Sequence, residues 1–448
     1  MRNICLIVLV TMICAAAQAG LPETVGVSGG VAVVVGDFDA KTLVSLRGEG
    51  RFTVQGLTRD QKRIDSIRAE LKIHGLYGKI AVDVWDGKNL PFVDNFANLI
   101  VADKSVGLSS TEALRALCPL GVYCVKSSDG LKTTKKPRPG NIDDWTHFLH
   151  SSTNNAVAND TVVGPPKRMQ WVAGPRYSRH HDRMSSFTAL VSEGGRIFYV
   201  MDEASPVSIL FAPKRSLIAR DAFNGSVLWK RPIGKWYNHM HRLKSGPAQL
   251  PRKLVAVGGK VFITLSVGDA VLALDGATGK TLKTYKGTEG TEEIICSGGK
   301  LLLQVMKPET TDRKLMAVDV ESGQAVWSWT GPIENGTLAA DDKRAAFLSK
   351  DVIVCLDKGS GKVLWKTDPI KVAKKYKVNI TPTLVLYDGV VLFADSSLMV
   401  VNRVWSLDKN DVLSAFSADT GKKLWNVPHP LSGYMSAEDV LVLNGVVW

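Results

Sequence analysis

The sequence predicts a mainly β protein, a β-propeller preceded by a small α/β domain. Two observations predict the propeller: a nine-residue kernel recurs five times, and a second hairpin signal precedes each copy. A third predicts the α/β part, namely strand–helix alternation between residues 24 and 126.

The kernels are DAFNGSVLW (221–229), DGATGKTLK (275–283), DVESGQAVW (319–327), DKGSGKVLW (357–365) and SADTGKKLW (417–425). Each follows a short apolar strand and reads as strand, tight turn, strand. The leading Asp can accept backbone N–H bonds inside the turn. The glycine of each kernel supplies a positive φ. Trp229, Trp327, Trp365 and Trp425 share one strand position, which suits packing between neighbouring sheets. The second kernel has Lys283 there with Tyr285 nearby, so an altered contact is expected.

The preceding hairpins turn at 193–196, 258–260, 298–300, 341–343, 388–390 and 444–446. Two hairpins make a four-stranded antiparallel unit, and radial repetition makes a propeller. Kernel spacing varies from 38 residues (319 to 357) to 60 (357 to 417), as connections carrying insertions would allow. Six first hairpins against five second ones give five blades and the start of a sixth. The expectation is a ring of seven or eight blades cut short at Trp448.

The kernels resemble the tryptophan-docking repeat of pyrroloquinoline quinone-dependent dehydrogenases and their non-enzymatic relatives, among them the outer-membrane assembly lipoprotein. The resemblance covers about residues 167–448 and implies the fold; the repeats themselves are structural. The dehydrogenases carry adjacent cysteines beside the quinone, and this chain has no Cys-Cys pair. Pyrroloquinoline quinone is therefore not expected as a cofactor.

In the N-terminal part, Val31 to Val35 and Phe52 to Leu57 read as strands. Gln61 to His74 has helical spacing, with Ile64, Ile67 and Leu71 on one face. Strands at 79–84, 96–102 and 121–125 follow, with a helix capped by Ser109 or Ser110 between the last two. The alternation implies a doubly wound, Rossmann-like parallel sheet. The segment resembles the first half of a class I methyltransferase, which binds S-adenosylmethionine. By that resemblance Gly36 and Asp39 belong to the first cofactor loop, Asp60 would hold the ribose and Asp86 would lie by the adenine. Phe38 and Ala40 stand where the family has glycine, and a Cβ there blocks the cofactor or strains the turn. A degenerate, structural domain is the expectation. The order of this segment, the stretch DDWTHFLHSSTNNAVAND (143–160) and the propeller also resembles a family of exported bacterial proteins, and that likeness implies no activity.

Six of the eight histidines fall between residues 147 and 241. His147 and His150 lie just before the propeller. The pairs His180–His181 and His239–His241 sit in connections expected on one propeller face, near Arg179, Asp182, Arg183 and Trp236. These four could bind a divalent metal such as zinc or copper. Their spacing matches no established zinc motif, and a polar contact of hydrogen-bonded histidines is the rival reading.

Residues 1–19 read as a secretory signal: Arg2, an apolar run from Ile4 to Ala17, and Ala17-Gln18-Ala19 before the cut. No later segment is long and apolar enough to span a bilayer. Four cysteines remain after the signal and are expected to be buried free thiols. The net charge of +13 is dispersed, and its one dense cluster (Lys132, Lys135, Lys136, Arg138) falls in a linker, so nucleic acid is not expected as a partner. The domain reading is signal 1–19, Rossmann-like domain 20–126, linker and His-containing junction 127–166, and propeller 167–448. The functional expectation is a periplasmic or secreted scaffold that presents a His-rich loop face to a protein or glycan of the cell envelope. Two enzyme readings stand behind it: a methyltransferase through the N-terminal domain, and a quinone-dependent oxidoreductase through the propeller.

Overall fold

The computed structural model describes residues 20–128, 130–165, 169–174, 179, 186–237, 249–306, 312–372, 381–395, 398–401, 404–407, 412–428 and 440–448. The chain divides into two compact units. One comprises Met1–Gly140, Gly164–Ala173 and Arg220–Trp229; the other comprises Asn141–Val163, Gly174–Ala219 and Lys230–Trp448.

The first unit is built on a six-stranded sheet. Its strands are β1 (Gly30–Val35), β2 (Phe52–Thr58), β3 (Ile80–Val84), β4 (Ala97–Asp103), β5 (Leu117–Ser127) and β6 (Gly130–Lys135), in the order β3-β2-β1-β4-β5-β6. The first five are parallel, and β6 runs antiparallel to β5. Every residue of β1 is buried, because helices cover both faces. On one face α2 (Ala40–Arg47) brings Leu43 and Leu46, and α3 (Gln61–Ile73) brings Ile64, Ile67 and Leu71. On the other face Trp85 and Leu90 pack with Ala113 and Ala116 of α4 (Ser110–Ala116). A four-residue helix, α1 (Leu21–Thr24), precedes β1. The Rossmann-like order expected from the sequence is therefore present. The stretch 127–166, read in the sequence as linker and junction, supplies β6 to this sheet, and residues 141–163 cluster with the second unit. Lys132 and Lys135 lie on β6, and Lys136 reaches Asn95 Oδ1 and Leu117 O, each at 2.7 Å.

The first kernel completes this unit. Asn224 Nδ2 donates to Phe96 O and to Asn98 Oδ1, both at 2.8 Å, and Asn98 Nδ2 donates to Asp221 Oδ2 at 2.7 Å. The other kernels carry Thr278, Ser322, Ser360 or Thr420 at the place of Asn224. A hydroxyl suffices to tie its own turn, whereas the longer amide reaches β4.

The second unit contains the propeller blades. Blade one has β7 (Phe187–Glu193), β8 (Arg196–Asp202), β9 (Arg215–Asp221) and β10 (Val227–Ile233). The turn of its last hairpin falls in the first unit. Blade two has β11 (Leu254–Val257), β12 (Lys260–Ile263), β13 (Val271–Asp275) and β14 (Thr281–Tyr285). Blade three has β15 (Thr291–Ser297), β16 (Lys300–Met306), β17 (Arg313–Asp319) and β18 (Ala325–Gly331). Blade four has β19 (Ala339–Ala340), β20 (Arg344–Ser349), β21 (Val352–Asp357) and β22 (Val363–Lys366). Blade five has β23 (Thr383–Tyr387) and β24 (Val390–Ala394), then a separate hairpin, β25 (Leu398–Val401) and β26 (Val404–Leu407), and finally β27 (Val412–Ser417) and β28 (Lys423–Pro428). That inserted hairpin accounts for the widest kernel spacing. The first hairpin of a sixth blade is β29 (Val442–Leu443) with β30 (Val446–Val447). Neighbouring blades share apolar cores: Phe262 with Leu301, Leu315 with Phe347, Cys355 with Phe393, and Leu392 with Val442. Cys118, Cys124, Cys296 and Cys355 are buried and form no disulfide.

The kernels behave as their residues predict. Asp275 Oδ1 accepts from the N–H of Ala277 and Thr278, and Asp319 and Asp357 accept from Ser322 and Ser360. These bonds hold the Asp319 and Asp357 carboxyls below the usual range, the backbone N–H of Ser322 contributing most at Asp319 and the Ser360 hydroxyl at Asp357. Trp327 and Trp365 each lie against the glycine of the next kernel and donate Nε1 to the residue after its first position, Lys358 O at 2.9 Å and Ala418 O at 2.8 Å. In blade two Tyr285 replaces the indole, its hydroxyl donating to Val320 O at 2.9 Å. Trp171, upstream of every kernel, makes the same bond to Ala222 O at 3.0 Å and covers Gly225.

These contacts separate two kinds of glycine. A Cβ on Gly361 would lie 2.5 Å from Trp327 Cδ2, with φ at +72°, whereas Gly389 has φ +75° and open space. Gly389→Ala should cost about 1–2 kcal/mol for the left-handed backbone, and Gly361→Ala a further ~1–3 kcal/mol for displacing the indole. Urea unfolding of the two variants measures the difference; equal losses would show that the indole contact is not restrictive.

Candidate functional site

At the carboxyl ends of β1, β4 and β5 the first unit has an open polar cleft of about 690 Å³, lined by Asp37, Asp103, Lys104, Ser105, Lys126, Ser127 and Ser128. It lies beside the point where the strand order reverses between β1 and β4, the usual ligand position of such sheets. The positions expected to hold S-adenosylmethionine are occupied otherwise. Gly36 has φ +117°, and a Cβ there would meet Val106 Cγ1 at 2.7 Å and Asp103 Oδ2 at 2.9 Å. Gly36 therefore packs directly against the side chains of Asp103 and Val106. Asp39 caps α2, accepting from Thr42 N at 2.7 Å, and Asp60 caps α3, accepting from Lys62 N and Arg63 N at 3.0 and 3.2 Å. Asp86 ties its own turn through Lys88 N and Asn89 N at 2.7 and 3.2 Å. Phe38 is turned into the core, its ring against Gly56, while Arg63 Nε donates to its carbonyl at 2.7 Å. Asp39, Asp60 and Asp86 are not among the residues lining the cleft. Each of these three carboxylates thus serves its own turn or helix start through one oxygen.

His180, His181, His239 and His241 lie outside the described residues, as do Asp182 and Arg183. Two of their expected neighbours have structural partners. Arg179 is buried and donates NH1 to Asp202 Oδ2 at 2.7 Å, and buried Trp236 donates Nε1 to Thr264 O at 2.6 Å. Among the described residues no group of three or more His, Cys, Asp or Glu side chains is placed to hold a metal ion.

The second unit builds a site that the sequence did not reveal. β7, β11, β15, β19, β23 and β29 each form the inner edge of their sheet, so their outward N–H groups need partners from elsewhere. Residues 145–155 supply them in blade order. Ser192 N donates to Trp145 O at 2.7 Å, and Ala256 N to Thr146 O at 3.0 Å. Cys296 N donates to His147 Nε2 at 3.1 Å. Ala340 N donates to Ser152 O at 2.7 Å, and Leu386 N to Thr153 O at 3.0 Å. Val442 N donates to Asn155 Oδ1 at 2.8 Å. The six donors are structurally equivalent, since each pairs across its hairpin with the residue five further on: 192 with 197, 256 with 261, 296 with 301, 340 with 345, 386 with 391 and 442 with 447.

The segment answers with donors of its own. Asn154 Nδ2 reaches Leu338 O at 2.9 Å and Leu384 O at 3.0 Å, so one amide joins blades four and five. Ser152 Oγ donates to Ala340 O at 2.8 Å, and Asn155 Nδ2 to Val442 O at 3.0 Å. Buried Arg252 donates to Asn154 Oδ1 at 3.3 Å and to Glu293 Oε1 at 3.1 Å, with its guanidinium 5.3 Å from the Phe148 ring. Between the two halves the segment turns back, with Thr146 N and His147 N both donating to His150 O. His150 and Asn154 take positive φ, +68° and +61°. His150 Nε2 donates to Asp143 Oδ2 at 2.8 Å. His147 and His150, read in the sequence as lying ahead of the propeller, thus sit on its inner edge.

Four-stranded blades docked by tryptophan and joined along their inner edges by one segment define a propeller of the quinoprotein type. The chain belongs to the family of the outer membrane protein assembly factor BamB, whose model matches residues 168–337 and 311–443. No curated protein matches the chain. Among solved structures, BamB from Moraxella catarrhalis is similar at 17% identity over 48% of this chain and 73% of that one, with a TM-score of 0.28. The Pan2 WD40 domain of Neurospora crassa is similar at 11% identity over 57% of this chain and 69% of that one, with a TM-score of 0.36. A Methanococcus maripaludis structure, assigned as an S-adenosyl-L-methionine-dependent methyltransferase, is similar at 21% identity with a TM-score of 0.22. The match covers 23% of this chain and 51% of that one, so the chain spans about half the length of this structure. These are likenesses of fold.

Asn154→Gly keeps the backbone conformation permitted but strands the Leu338 and Leu384 carbonyls. It should cost about 2–4 kcal/mol in urea unfolding, from two buried acceptors losing their donor. A loss below about 0.5 kcal/mol would show that water replaces the amide.

Proposed function

We propose that this chain is an exported β-propeller that acts as a binding scaffold in the cell envelope, in the periplasm or secreted, with no catalytic role assigned to it. The observation that carries this reading is the match of the BamB family over the blades, which makes a protein partner of the envelope the natural ligand class. The filled inner edge agrees with it. Where the chain's own segment occupies the inner strands, binding falls to the loops and outer surfaces. The proposed export rests on residues 1–19 with a cut after Ala19, which lie outside the described residues. Among the described residues no helix is long and apolar enough to cross a membrane. A glycan partner is the second class, and nucleic acid is not proposed. The proposed domains remain 20–126, 127–166 and 167–448, with the junction serving the propeller.

The positions Gly36, Asp39, Asp60 and Asp86 are proposed as remnants of a methyltransferase-type fold. His180, His181, His239 and His241 are proposed as a candidate metal set on the loop face. Full-length protein titrated calorimetrically with S-adenosylmethionine should give no saturable heat, and incubation with pyrroloquinoline quinone and calcium should leave no bound quinone absorbance. Crosslinking in envelope extract should recover a stoichiometric partner. Micromolar cofactor binding would overturn the scaffold reading in favour of an enzyme. For the metal set, elemental analysis should find near-stoichiometric zinc or copper that is lost in the His180→Ala, His239→Ala double variant. Metal-free folded protein would remove that assignment.

A further inference from the structure

Five of the six equivalent inner-edge N–H groups donate to an oxygen; blade three alone donates to an imidazole nitrogen. That acceptor fixes the tautomer. His147 Nε2 must be unprotonated to accept from Cys296 N, so the ring proton sits on Nδ1, 2.8 Å from Thr146 Oγ1. Thr146 Oγ1 then donates to His150 O at 3.0 Å, closing the turn of the segment. The neutral ring is thus held from both sides. A proton added at Nε2 converts the acceptor into a second donor that faces the Cys296 N–H, and no bond between them survives.

We propose that His147 is an acid-sensitive latch: on protonation, blade three releases the inner segment while the blades that donate to oxygen keep it. The inference holds whatever the partner of the propeller.

The surroundings set the sign. His147 is buried, and burial, with His150 nearby, holds its pKa down at about 3. An unfolded or locally opened histidine titrates near ~6.5. The folded value is depressed, so the latch is at full strength above about pH 6.5 and weakens as pH falls from there towards 3. The other charged groups in contact act elsewhere or oppositely. Asp143, bonded to His150, has its pKa lowered, so its contribution fades only below the usual carboxylate range. The Cys296 thiol is pushed up to about 11 by burial, against Lys260 and Lys358, and stays neutral. Glu293, paired with the Arg252 that lies against Phe148, has its pKa raised by burial, so it favours the fold more as pH falls. His150 donates Nε2 to Asp143 whether its ring is neutral or charged, so the loss at Cys296 is assigned to His147 by the His147→Gln variant, which leaves His150 in place.

Amide hydrogen exchange on the full chain tests this, corrected for intrinsic rates. Protection of the Cys296 amide should fall about twenty-fivefold between pH 7 and pH 5, as an opened histidine of pKa ~6.5 takes up its proton. Protection of the equivalent Ala256 amide, which donates to a carbonyl, should stay constant within about twofold. His147→Gln keeps a neutral acceptor and should abolish the pH dependence at Cys296. Constant protection at Cys296, an equal fall at Ala256, or a fall that persists in His147→Gln would overturn the proposal. Should that variant fail to fold, the two amides compared within the unmodified protein decide it.

Discussion

The constraint on which the propeller depends is the pairing of its inner-edge N–H groups. A four-stranded blade satisfies its own backbone everywhere except at its two edges. The outer edge can face water. The inner edges crowd towards one another, and an orphaned buried N–H costs about 1–3 kcal/mol. Six such donors, one per blade, would offset much of a domain's net stability. Residues 145–155 remove that cost with carbonyls, one imidazole and one side-chain amide, taken in blade order. The segment therefore acts as an internal template against which the inner edges of successive blades are aligned.

A second, apolar constraint acts further out. Blades three and four each lean on the next through an indole laid over a kernel glycine, with the indole N–H donated to the neighbouring backbone. The glycine is needed twice there, for its positive φ and for the absent Cβ. The two systems divide the work: aromatic docking sets the spacing of neighbouring blades, and the polar inner segment sets their register to a common line. Tyr285 shows how far the first system bends, since its hydroxyl replaces the indole donor where the kernel has Lys283.

Much of this was legible in the sequence. The kernels fixed blade type, turn chemistry and the docking position, because each is a local pattern repeated in register. The α/β order was legible from the helical face of Ile64, Ile67 and Leu71 and the apolar strands around it. The candidate cofactor residues were harder, because an acid at the end of a strand fits two patterns. Asp60 can hold a ribose or cap the next helix, and here its carboxylate takes Lys62 N and Arg63 N. Trp171 escaped notice because it precedes the kernel it covers. The inner segment was visible only as an unassigned stretch, 143–160. Its partners come from six separate repeats, and nothing local in Asn154 or His147 names them. Asn224, the odd residue among the Ser and Thr of its kernel position, was the one readable sign that the first kernel docks elsewhere.

The central claim is that residues 145–155 hold the blades together. The direct test replaces them with a Gly-Ser segment of equal length and follows urea unfolding by near-ultraviolet circular dichroism of the buried tryptophans. The account predicts that the cooperative transition of the propeller is lost, with secondary structure retained in loosened blades. A transition with unchanged midpoint and slope would contradict it, because the inner edges would then be satisfied without the segment.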